Sequence, residues 1–209
     1  MKHLITLLLV ILTLNGYSQS KTDDTLSYYE EVCLNREWQG KLEAPVRFIN
    51  DIKIYVSGRN DDTLLLELDK IVEELNWLIS DINIYIVDEE KNSNITIYLG
   101  GMKDYLKQLN CDKSQLKKRK FRLENNWGMF WVTHYNGVIE NSEIFIDVER
   151  TSTDEERKHL LREELTQSMG LFNDSNKYPK SIFYSSWVED TTEYTDIDKA
   201  IIKLLYSIN

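Results

Sequence analysis

The chain has 209 residues, 42% hydrophobic and 29% charged, an ordinary globular balance with enough length for one domain and a substantial core. Thirty-five acidic side chains against 25 basic ones give a net charge of −10, which argues against nucleic acid as a partner.

The chain opens with Met1-Lys2-His3 and an apolar run from Leu4 to Leu14, followed by Asn15-Gly16-Tyr17-Ser18. The run is too short to span a bilayer and reads as a secretory signal over residues 1–18, cleaved near Ser18 or Gln19. The expectation is an exported protein, periplasmic or extracellular, with no transmembrane segment after cleavage. Losing Lys2 leaves 24 basic side chains against 35 acidic ones, a charge of −11.

Residues 19–44 predict a loose polar lead-in, and residues 45–209 a single domain. Pro45, Val46-Arg47-Phe48-Ile49 and the alternating Ile52-Lys53-Ile54-Tyr55-Val56 read as one long strand stopped at Ser57-Gly58. Asp61 or Asp62 can cap the next helix, where Leu64, Leu68, Ile71, Leu75 and Leu78 recur at helical spacing. Two strands follow, Ile82 to Val87 and Ile95 to Leu99. Residues 102–124 read as a basic helical insertion carrying Lys113, Lys117, Lys118, Arg119, Lys120 and Arg122, either a solvated face or a patch for an anionic partner.

Trp127 to Tyr135 predicts a strand closed by the tight-turn pair Asn136-Gly137, and Glu143 to Val148 another strand. Ser152-x-x-Glu155 and Thr153-x-x-Glu156 both fit a capping box ahead of a helix through Leu160, Leu161, Leu165 and Met169, ended by Gly170. Within it Glu163 and Gln167 share a face four residues apart, Glu164 is adjacent, and His159 lies one turn earlier. Adjacent carboxylates on a helix diverge by about 100°, a poor arrangement for acid and base on opposite sides of one bond. His159 reads as a solvent-facing or packing residue, and His134 as a strand-end polar residue. Cys33 and Cys111 are candidates for one disulfide, with two buried thiols as the alternative.

The run Glu163-Glu164-Leu165-Thr166-Gln167-Ser168-Met169-Gly170-Leu171-Phe172-Asn173-Asp174 resembles the metzincin pattern H-E-x-x-H-x-x-G-x-x-H with its histidines replaced. Ser181-Ile182-Phe183-Tyr184 looks like that family's methionine turn with Phe183 in the methionine place. Tyr194 to Tyr206 is similar to the final helix of matrixin-like proteins. More closely, the chain resembles a bacterial family of exported proteins of unknown function grouped with the zincins. The resemblance covers roughly residues 45–208.

It implies an α+β, zincin-like domain: a twisted five-stranded mixed sheet, a long helix in the N-terminal half, a motif helix ending at Gly170 and a C-terminal helix. It places Glu163, Gln167 and Asn173 at the ligand positions, Asp174 as a further carboxylate, Glu164 at the general-base position, and His134, Phe183 and Tyr184 around the cleft. Amide oxygens are weak donors to zinc, so no cofactor is expected. The resulting expectation is a non-catalytic domain that binds a peptide or protein in a degenerate cleft. The alternative is a peptidase using zinc or another divalent cation on Glu163, Gln167 and Asn173, with Glu164 as base.

Overall fold

A computed structural model describes residues 23–34, 42, 44–109, 111–186 and 191–207. The expected leader, residues 1–18, lies outside them. Among the described residues no helix is long and apolar enough to cross a membrane.

Five strands form one mixed sheet in the order β2-β1-β3-β5-β4. They are β1 (Ile52–Gly58), β2 (Ile84–Ile86), β3 (Ile95–Gly100), β4 (Gly128–Tyr135) and β5 (Val138–Asp147). The first three and β5 run parallel, and β4 pairs antiparallel to β5 at one edge. Asn136 and Gly137 both take positive φ (48° and 80°) and close the β4–β5 hairpin as the Asn-Gly pair predicts.

Side chains alternate across the sheet. Ile54, Ile97, Ile144 and Val132 join the main core, while Tyr98, Phe145, Met129 and Trp131 join a smaller cluster on the opposite face. The main core packs beneath α2 (Asp62–Leu78), α5 (Asp154–Ser168) and α6 (Asp196–Ser207). The smaller cluster is covered by Tyr105 of α3 (Met102–Gln108) and Leu123 of α4 (Lys113–Asn125). The expected insertion is therefore two helices that roof one face of the sheet.

Two boundaries differ from the sequence expectations. The first strand starts at Ile52, not at Val46. Arg47 makes only an isolated bridge to Val138, because exposed Ile49 and the bend at Asn50 interrupt the ladder. The lead-in also contains more order than its polarity suggests. Residues 23–29 form helix α1, which runs into a π-helical turn, Glu30–Leu34, and buries Tyr28, Tyr29, Val32 and Cys33 in the main core.

Candidate functional site

Helix α5 is mostly polar by composition yet sits between the sheet, α2 and α6, so its polar side chains need partners. Thr153 caps it by accepting from the Glu156 amide at 3.1 Å, and Glu156 Oε2 reaches back to the Ser152 amide at 2.7 Å. Arg162 is clamped to α2 through Glu67 Oε1 (2.8 Å) and Glu74 Oε2 (2.7 Å), with its guanidinium 4.5 Å from the Tyr194 ring centre. Thr166 donates to the Arg162 carbonyl at 2.6 Å and bonds the Tyr194 hydroxyl. These contacts fix the rotation of α5, and with it the side chains turned toward β4.

Gly170 ends this segment at φ 124°, and an added Cβ there would lie 2.2 Å from the Val46 carbonyl. Only glycine fits both demands. The chain then turns back along residues 171–175. Ser175 bridges to Tyr184, and Ser181 donates to Asp198 at 2.5 Å while bonding Tyr28.

Between β4 and α5 lies a cleft of about 590 Å3. Its floor carries Glu163, Glu164, Gln167 and Asp174; Trp127, Phe130, Trp131 and His134 come from the β4 side. Phe130 stacks on Phe172 with ring centres 6.0 Å apart. Glu164 folds against Gly128, where a Cβ would sit 2.5 Å from its Oε1; the missing side chain makes room for the carboxylate.

The floor groups engage one another. Gln167 Nε2 donates to Asp174 Oδ1 at 2.6 Å. His159 Nε2 meets Glu163 Oε2 at 3.2 Å, and its Nδ1 donates to the Thr191 carbonyl at 2.7 Å. Both ring nitrogens thus face acceptors, an arrangement that favours the imidazolium. Burial pushes the His159 pKa down, but Glu163, the Thr191 carbonyl and the charge of Asp174 hold it above the ordinary histidine value. His159 is a buried partner of the site and not a solvent-facing residue. Its position four before Glu163 was the available sequence signal.

Glu163, Glu164, Gln167, Asp174 and His134 line one cleft, and three other candidates do not. Asn173 is turned away from the cleft, where its Nδ2 donates to the Glu31 carbonyl at 3.3 Å and its amide to that of Val32 at 3.1 Å. It closes the end of the N-terminal helical segment, and Asp174 takes its expected place. Phe183 is fully buried in the main core, so it supports the turn from beneath. Tyr184 is held by the Ser175 bridge and does not line the cleft. Cys33 and Cys111 are both free; Cys33 is buried in the core, and Cys111 lies between α3 and α4.

This donor set does not fit zinc. Glu163 is engaged by an imidazole, Gln167 offers a neutral amide whose nitrogen is bonded to Asp174, and Asn173 faces the other way. Among the described residues, no three His, Cys, Asp or Glu side chains are grouped to hold a metal ion.

Residues 22–209 match the family model described as a protein of unknown function (DUF2927), and the chain belongs to that family. No curated protein matches it. Two solved structures of myroilysin, a metallopeptidase, are similar to it at a distance. One is 10% identical over 77% of this chain and 81% of its own, with a TM-score of 0.44. The other is 8% identical over 78% and 86%, with a TM-score of 0.46.

Proposed function

We propose that the chain is an exported, non-catalytic domain that holds an extended peptide or protein segment in the cleft between β4 and α5. The observation that carries this reading is the mutual commitment of the floor: Gln167 to Asp174, and Glu163 to His159. In the zinc enzymes that the motif resembles, groups at these positions hold a metal that polarises water. Here the same register is closed by hydrogen bonds between side chains.

The wall of the cleft supports the binding half of the proposal. Strand β4 is the edge of the sheet, and an edge strand presents backbone groups that an extended segment can pair with. Trp127 beside it, 41% exposed, offers a large contact surface at low entropic cost.

Metal analysis of the purified protein, together with peptide binding and peptidase assays, tests the reading. The expected result is peptide binding without zinc-dependent turnover. Near-stoichiometric zinc that is lost in Glu163→Ala, with peptidase activity abolished by Glu164→Gln in a folded protein, would overturn it.

A further inference from the structure

The basic helix α4 ends beside the cleft. Its cations are not equivalent. Arg119 is engaged on the far face of the sheet, where it pairs with Glu143 Oε2 at 2.7 Å, bonds the Tyr105 hydroxyl and lies 4.2 Å from the Trp131 ring centre. Lys120 pairs with Glu124 at 3.7 Å, and Lys113, Lys117 and Lys118 are exposed. Arg122, half-buried, is the one member of the group that lines the cleft. Among the described residues its guanidinium has no ion pair and no hydrogen-bond partner.

Its backbone is firmly held. Asn126 Nδ2 donates to the Arg122 carbonyl at 2.9 Å. Arg150, anchored to Asp147 at 2.6 Å, donates to the carbonyls of Leu123 (2.7 Å) and Asn126 (2.8 Å). The end of α4 is thus pinned at and just after Arg122 while its charged head is left uncommitted. An uncommitted guanidinium on a held backbone matches a single carboxylate in geometry and charge. Glu163, Glu164 and Asp174 on the floor make the rest of the cleft unfavourable to acidic groups.

We propose that Arg122 is a specificity-determining residue of the cleft: the occupant is an extended peptide carrying one acidic side chain, which pairs with Arg122 where α4 meets β4. This rests on the peptide-binding reading above and names the class of peptide. It also gives the two-helix insertion a role, since α4 both roofs the sheet and delivers this cation to the cleft.

Three end-blocked, fluorescein-labelled octapeptides test it. All share a Thr/Val/Ser background and carry one aspartate, one lysine or no charge. Fluorescence anisotropy with the full mature protein, at low and at physiological salt, should rank the aspartate peptide tightest despite the protein's overall negative charge. Arg122→Gln should weaken that peptide about tenfold, the scale of one lost charge-assisted hydrogen bond, and leave the neutral peptide unchanged. Arg122→Lys should restore part of the loss. Among the described residues the Arg122 side chain makes no hydrogen bond or ion pair, so these variants should stay close to the parent in thermal unfolding.

A lysine peptide bound tightest overturns the assignment, as does an Arg122→Gln change that weakens all three peptides equally. Either outcome leaves peptide binding itself intact. If none of the three binds, the peptide-binding reading falls and takes this inference with it. Binding of an anionic vesicle or a thymidine oligonucleotide in their place would assign α4 to a different partner.

Discussion

Gln167 and Asp174, seven residues apart and on either side of the helix-ending Gly170, are joined by a 2.6 Å hydrogen bond across the floor of the cleft. The bond ties the last turn of α5 to the segment that follows it. Gln167→Glu would set two carboxylates against each other there, and Gln167→Ala would remove the donor. We expect losses of about 1–3 kcal/mol, larger for the glutamate, seen as a melting temperature lowered by about 2–10 °C. Unchanged melting in both variants would show that the floor is not held by this bond.

Gly128→Ala places a methyl group 2.5 Å from Glu164 Oε1. Gly128 is a strand residue without positive φ, so the cost should come from the carboxylate and not from the backbone. The expected destabilisation is about 1–3 kcal/mol, the usual scale of overpacking. Glu164→Ala should relieve it, and a double-mutant cycle measured by urea unfolding should return a coupling of opposite sign to the single Gly128 change. Additive effects would mean that the two residues do not meet.

His159 gives the site a pH dependence with a defined sign. Its folded pKa is raised above the reference value of 6.5, and the charged groups facing it are Glu163 and Asp174. A group of this kind contributes stability that is fully present below its unfolded pKa and lost as pH rises through the folded one. Urea midpoints of the parent and His159→Gln should therefore differ most at mildly acidic pH and converge toward alkaline pH. A gap that widens with pH would contradict the ion pair.

The cysteines should separate by reactivity. Burial pushes the Cys33 thiol well above its usual range, whereas Cys111 is part-exposed. One thiol per chain should react with a disulfide reagent in the folded protein at neutral pH, and two after denaturation. Labelling lost in Cys111→Ser identifies the site, while no free thiol in either state would establish a bridge.

Removing the clamp on α5 should be the most damaging change. Arg162→Ala leaves buried Glu67 with only the exposed Lys70 at 3.5 Å and Glu74 with Lys199 at 3.0 Å, a loss of about 3–5 kcal/mol. Arg162→Lys should recover little, because one ammonium cannot span both carboxylates in a fixed fork. Circular dichroism and urea unfolding would read the difference.

Where local geometry governs, the sequence was legible. Asp61 caps α2 through the Leu64 amide at 3.2 Å, and Asn136-Gly137 turns the hairpin, both settled within a few residues. Glu163 and Gln167 were placed together because they are four apart on one helix. The phase was lost beyond Gly170, where the close approach to Val46 sets the chain direction. Asn173 is instead bonded to the carbonyls of Glu31 and Val32, and Asp174 lines the cleft. Helix α1 escaped for a similar reason: Tyr28, Tyr29, Val32 and Cys33 form a helical stripe in a polar stretch, but the surfaces that bury it come from much later in the chain.

That separation governs the order of assembly. Tyr28 meets Ser181 across 153 positions, and Asn173 meets Glu31 across 142. Helix α1 therefore lacks its full docking surface until residues 173–181 have been synthesised, and closing so long a loop is slow. A nascent chain cannot lock α1 in place before those residues have left the ribosome.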